Sequence, residues 1–203
     1  HHCCRLRARR IHERSFDITT GLTLIELRDS KHPLLRQLQQ RAPGTYNHSL
    51  NVAAISESAA EAIGADSLLT FVGALYHDVG KMNKPEYFVE NQSGGPNKHD
   101  KLSPAMSLLI IVGHVKDGLA MAQESGLPET IQHFIEAHHG TTLVEFFYNR
   151  ARKAAEQSAA KAGTAAEDLP EEIEYRYPGP KPRTKECAIL MLADAVESAT
   201  RTM

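Results

Sequence analysis

"GALYHDVGK", residues 73–81, decides how the rest of this chain is read. An apolar helical run ends in adjacent His77 and Asp78, and a glycine and a lysine follow at once. An imidazole and a carboxylate carried into an apolar setting need hydrogen bonds, an ion pair or a metal, because burial without partners is costly. His77 shares its helix face with Gly73 and Ala74, small residues that read as leaving room for something bulky beside the ring.

The flanking sequence is helical nearly throughout, with no clean alternating strand. From Asp17 to Arg41 two short helices are expected, broken at "DSKHP", where Pro33 suits a first helical turn. "TYNHSLNVAAISESAAEAIG" reads as a longer helix ending on Gly64, and Asp66 or Ser67 caps the helix that leads into His77. Residues 83–101 read as a loop with one helical turn. Ser103-Pro104 opens a strong helix that stops at Gly126, Pro128 opens another that stops at Gly140, and a third covers roughly Leu143 to Lys161. The small, acidic and Pro/Gly-rich stretch at about 156–185 is expected to be a connector with no core in it. The last helix, from Lys185, is apolar over most of its surface and is expected to lie centrally. The fold class is therefore all-α, a helical bundle spanning 17–203, with residues 1–16 set apart and more helix expected beyond Met203.

With 203 residues, 41% of them hydrophobic and 24% charged, the chain can bury a full core. A net charge of −2 lacks the basic excess of a nucleic-acid polymer binder. Three cysteines cannot build a disulfide framework, which points to a reducing compartment. No run of about 18 apolar residues reads as a membrane span. Four arginines between Arg5 and Arg10 match the cytoplasmic flank of a membrane helix, and match a frayed terminus equally well.

Eleven histidines are the compositional surplus, and their positions matter more than their number. His48, His77, His114, His138 and His139, with Asp78 and Asp194, all sit in apolar helical contexts. One such residue means little. Seven on helices expected to pack together cannot all be buried at tolerable cost unless something satisfies them, and a pair of divalent cations does so by turning ring nitrogens and carboxylate oxygens into ligands. His32, beside Pro33, and His133 read as surface residues, and His99-Asp100 repeats the dipeptide in a polar loop without an apolar frame.

An isolated histidine, then His-Asp, then a distant aspartate on helices resembles the HD-domain metal-dependent phosphohydrolase superfamily. His48, His77-Asp78 and Asp194 match that order. "GALYHDVGKMNKPEYFVENQ", "HDKLSPAMSLLIIVGHVKDG", "HHGTTLVEFFY", "YPGPKP" and "MLADAVESA" are further similar to the cytosolic domain of membrane-anchored, PgpH-type HD hydrolases. The resemblance implies two divalent metal ions, iron or manganese, and hydrolysis of cyclic di-AMP to pApA. Carried over by residue, one metal takes His48, His77, Asp78 and Asp194, and the other takes His114, His138 and His139 with Asp78 bridging. It also implies a catalytic role for Asp78 in fixing the metal pair and for Lys81 in meeting a phosphate oxygen or the leaving group. The resemblance further implies membrane attachment through a region before this chain, with the domain on the cytoplasmic side of a bacterial plasma membrane. The "GYP" signature of the related cyclic di-GMP hydrolases is missing after His138-His139, where "GTTLVEF" stands. Alternatives within the resemblance are an alarmone, a deoxynucleotide or cyclic di-GMP as substrate, or an inactive nucleotide-binding sensor. Tyr and Arg of the "YRYPGPKP" stretch are candidates to stack on adenine.

Overall fold

The structure, a computed structural model, describes residues 19–92, 94–162 and 169–201. The basic segment 1–16 lies outside the described residues. Eight α-helices are described: α1 (Gly21–Arg28), α2 (Pro33–Arg41), α3 (Pro43–Ile63), α4 (Ser67–Tyr76), α5 (Pro104–Glu124), α6 (Glu129–Ala137), α7 (Glu145–Ala162) and α8 (Lys185–Thr200). Among the described residues there is no strand, only an isolated antiparallel bridge between Leu143 and Arg176. The all-α expectation therefore holds.

The helix ends follow from local chemistry. Asp66 Oδ1 accepts from the Leu69 N–H at 2.9 Å, and Ser103 Oγ from the Met106 N–H at 3.2 Å. Thr184 Oγ1 does the same for Cys187 at 3.1 Å. Gly64 closes α3 at φ +67°, a left-handed conformation that a Cβ disfavours.

The main core packs α1–α4 and α6 with one side of α8 around Leu35, Leu38, Val52, Tyr76 and Phe134. A smaller apolar cluster, Leu108, Phe147 and Tyr175, joins α5 to α7 and the segment after it. The seven predicted site residues gather on α3, α5 and α8 and at the C-terminal ends of α4 and α6.

Several expectations need correction. Residues 83–101 carry four short 3-10 turns, at Val79–Asn83, Pro85–Tyr87, Val89–Asn91 and Lys98–Lys101, the first of which begins before the loop. The stretch read as a coreless connector buries Tyr175 and Tyr177 and pairs backbone with residues 142–144, because its aromatics satisfy the smaller cluster. The last helix is peripheral: Leu192 and Val196 are 68% and 54% exposed, and only the face carrying Cys187, Leu190 and Asp194 turns inward. Gly73 makes no space beside His77, since a Cβ there would lie 2.5 Å from the Phe134 ring, which fills the crossing of α4 and α6. Finally, α5 is long and apolar enough by length and composition to cross a membrane, with mean hydropathy 1.4. Lys116 and Asp117 interrupt its apolar run, and in this fold it carries His114 and packs on the turn after Asp78.

Candidate metal centre

Asp78 sits where α4 gives way to a tighter turn. His77 keeps α-helical angles, Asp78 moves to φ −109°, ψ 15°, and the chain enters the Val79–Asn83 turn. Gly80 lets that turn lie against α5, since a Cβ there would fall 1.9 Å from the His114 carbonyl oxygen. The close approach brings His114 to Asp78. Gly140, at φ +53°, turns the chain back directly after His138 and His139.

The Asp78 carboxylate lies at the centre of the imidazoles. Its Oδ2 is 3.5 Å from His48 Nε2 and 3.2 Å from His77 Nε2. Its Oδ1 is 3.3 Å from His114 Nε2 and 3.6 Å from His138 Nε2. One oxygen serves each pair. Asp194 Oδ1 lies 3.0 Å from His48 Nε2 and 3.9 Å from His77 Nε2, and its Oδ2 reaches His139 Nδ1 at 4.0 Å. Two groups of donors result, His48–His77–Asp78 and Asp78–His114–His138–His139, with donor atoms within 4.8 Å of one another in each. Asp78 belongs to both, so the structure brings together all seven residues that the sequence singled out.

Proton placement tests whether cations fit. The Nδ1 atoms of His77, His114 and His138 lie 2.7, 2.5 and 2.9 Å from the carbonyl oxygens of Ala74, Ile111 and Ile135. A carbonyl only accepts, so Nδ1 holds the proton and Nε2 offers a lone pair, the form a metal binds. His114 Nε2 and His138 Nε2 then face each other at 3.4 Å with no proton between them. His77 Nε2 and Asp78 Oδ1 are buried with no hydrogen-bond partner. Facing lone pairs and orphaned buried acceptors are what a cation relieves.

The electrostatics agree. Burial lowers the His138 pKa and, together with the neighbouring His138 and His114 rings, takes His139 well below its ordinary value, so both rings stay neutral. Burial pushes Asp78 up, but the imidazoles around it and the Lys81 cation outweigh it and hold the carboxylate ionised. Asp194 is likewise held low against its burial by the imidazoles around it. His77 moves up because Asp78 and Asp194 overcome its desolvation, so this anionic pocket calls for positive charge.

Three contacts were not foreseen. Lys81 Nζ is clamped between Asp78 Oδ2 at 2.7 Å and Glu90 Oε1 at 2.9 Å, and Thr45 Oγ1 donates to the same Glu90 oxygen at 3.1 Å. Tyr177 stacks on the His139 ring with centroids 4.2 Å apart. Glu197 Oε2 accepts from His48 Nδ1 at 2.6 Å, and a cleft of about 430 Å³ lined by Asn51, Ile55, Glu197 and Arg201 opens beside that contact. Glu90 and Glu197 look like ordinary surface glutamates in sequence. The one sequence signal for Glu197 is its position one helical turn after Asp194.

Other histidines serve the fold. His133 is buried, not exposed: its Nε2 accepts from the Arg183 N–H at 3.1 Å and ties the start of α8 to α6. His32 is half-buried, edge-on to Tyr76. His99 is buried against Phe147, with Nε2 donating to the Tyr87 carbonyl at 3.0 Å, so it anchors the 83–101 segment away from the centre. Arg176 donates to the Thr141 carbonyl at 2.9 Å and pairs with Glu172, which leaves it committed to protein partners.

Comparison with known proteins agrees with this geometry. The HD domain family matches residues 45–199. The cyclic-di-AMP phosphodiesterase PgpH of Bacillus subtilis is 47% identical over 191 residues, which cover 94% of this chain and 25% of the relative. PgpH of Listeria monocytogenes is 45% identical, again over 94% of this chain and 25% of its own length. The chain thus spans about a quarter of the length of these curated relatives. The crystal structure of the L. monocytogenes PgpH HD domain in complex with cyclic-di-AMP superposes with a TM-score of 0.76 at 44% identity, covering 86% of this chain and 76% of that one.

Proposed function

This chain belongs to the HD domain family, and from that premise we propose that it is a metal-dependent phosphodiesterase that opens cyclic di-AMP to linear pApA. One observation supports a binuclear reading above the others: the two oxygens of one buried carboxylate divide between two imidazole pairs, while Asp78 Oδ1 and His77 Nε2 lack any other partner. His48, His77, Asp78 and Asp194 would hold one divalent cation, and His114, His138, His139 and the shared Asp78 the other. Imidazole and carboxylate donors suit iron or manganese. When bound, such a pair supplies a water of lowered pKa and neutralises charge on the phosphate.

The remaining work falls to the chain. In the reaction the water oxygen bonds to phosphorus, the bond from phosphorus to the ribose 3′-oxygen breaks, and that oxygen leaves with a proton. Carbonyls of Ala74, Ile111 and Ile135 hold the proton of each neutral ring on Nδ1, so three Nε2 atoms already face the place where a cation would sit. Lys81 is held cationic by Asp78 and Glu90 despite its burial, which places a fixed positive charge beside the shared carboxylate, where charge builds on the phosphate. Tyr177, seated on His139, closes that side of the centre. The basic run Arg5–Arg10 and the greater length of the relatives fit a cytoplasmic domain of a membrane-anchored protein.

The test incubates Mn²⁺-loaded protein with cyclic di-AMP and cyclic di-GMP side by side and identifies products by mass. Conversion of cyclic di-AMP to pApA, abolished by chelation, is expected. No turnover of cyclic di-AMP by protein that carries two metal ions overturns the activity, and preference for cyclic di-GMP overturns the substrate.

A further inference from the structure

Of the four imidazoles whose Nε2 atoms face Asp78, three have their tautomer set by backbone, because Nδ1 points at a helix carbonyl. His48 differs. It lies inside α3, and its Nδ1 faces side chains from α8. Glu197 Oε2 is 2.6 Å away, and the Arg201 guanidinium approaches the same Nδ1 to 2.8 Å while pairing with Glu197. An ionised carboxylate only accepts and a guanidinium only donates. The two neighbours therefore ask for opposite tautomers. With the proton on Nδ1, given to Glu197, the Nε2 lone pair faces Asp78 and Asp194. With Nδ1 accepting from Arg201, the proton moves to Nε2 and that lone pair is lost.

We propose that Glu197 is a positioning residue that fixes the His48 tautomer against Arg201, and so keeps the His48–His77–Asp78–Asp194 subsite able to take a cation. This deepens the proposed function and rests on its reading of His48 as a ligand. Glu197 is well placed to do so. It is 9% exposed, its Oε1 lies 3.5 Å from the Asn51 amide, and it stands one turn beyond Asp194 on the same helix. Arg201 in turn extends to Glu90 Oε2 at 3.8 Å, so α8 is tied to the segment that clamps Lys81. In the other subsite backbone carbonyls set the tautomers of His114 and His138, and Glu197 touches neither ring.

The test measures Mn²⁺ stoichiometry and affinity on the full chain by elemental analysis and titration calorimetry, with the melting temperature of the metal-free protein as a folding control. Wild type is expected to bind two ions. Glu197→Ala is expected to bind one ion as before and the other about 10–100-fold more weakly, the usual loss for an outer partner of a ligating histidine. Glu197→Ala combined with Arg201→Met is expected to regain part of that affinity, because the opposing donor is gone, a reversal that simple loss of packing does not produce. Nitrogen NMR of metal-free wild type, which needs no variant, should find the His48 proton on Nδ1. Two ions bound with unchanged affinity by Glu197→Ala, a double variant no better than the single, or the proton on Nε2 each overturns the proposal. Wild type that binds no ion overturns the site reading instead.

Discussion

His138 and His139 remain neutral because a charged ring at either position loses its water and meets other rings. The unfolded chain has no such restraint and titrates near the ordinary value of 6.5. Below that pH it binds protons that the folded state refuses, so metal-free stability contributed by these residues falls as the pH falls. His77 runs the other way: its raised pKa contributes stability below 6.5 that is lost as the pH rises through the folded value. Substituting one residue isolates one slope. His139→Gln should make the melting temperature of metal-free protein depend less steeply on pH between about 7 and 5 than wild type does, as followed by circular dichroism. An unchanged slope means that His139 is free to protonate in the fold. The same chemistry explains which residues sequence could reveal. Seven polar residues inside apolar helical runs stand out, because burial without a purpose is costly. Glu90 and Glu197 do not, since a glutamate reads as solvated until the fold presses Lys81 or His48 against it.

The turn from Val79 to Asn83 and the helix α5 cross at two glycines, and that crossing sets the distance between Asp78 and His114. A Cβ on Gly80 would lie 1.9 Å from the His114 carbonyl oxygen and 2.4 Å from the Gly118 nitrogen. Both are backbone atoms, so a whole helix must move to admit one methyl group. Gly80→Ala should destabilise the fold by about 1–3 kcal/mol, the range for overpacking, and should lower metal stoichiometry by moving His114 from Asp78. Gly21→Ala, with nothing within 4 Å of the added atom, is the control and should change stability by no more than about 0.5 kcal/mol. Urea melts of the metal-free proteins measure both. Helices were legible wherever caps and periodicity agreed, as at Asp66, Ser103 and Gly64. Contacts between distant segments were not. Nothing local in "EYRYPGPKP" shows that Tyr175 completes a cluster with Leu108 and Phe147, or that Tyr177 lies on His139. The last helix misled for a related reason: its apolar residues circle the axis, but only one side finds a partner, which leaves Leu192 and Val196 outside.

The centre lies where the main core meets the smaller cluster, and each of five helices brings at least one side chain to it or to its edge. Among those helices α5 packs on α6, α7 and the Val79–Asn83 turn, while α8 packs on α3, α4 and α6. The donor groups come from residues as far apart as His48 and Asp194, so they converge only in the folded chain, and the unfolded chain offers no comparable site. Ligands that bind the native state alone stabilise it by mass action, about 2.7 kcal/mol for each site held at a hundred times its dissociation constant. For a chain of this length each kcal/mol moves the melting temperature by roughly 2–4 °C. Removing bound ions with a chelator should therefore lower the melting temperature by about 5–10 °C per site, and re-adding Mn²⁺ should restore it. A scaffold that used its histidines only for packing would melt at the same temperature with and without chelator. The pattern across variants carries more information than the size of the shift. Asp78→Asn takes away the one carboxylate common to both groups and should abolish the whole chelator response. His114→Ala leaves the His48–His77–Asp78–Asp194 set intact and should abolish only part of it. Equal responses from these two variants would mean that the two donor groups do not act as separate sites joined through Asp78.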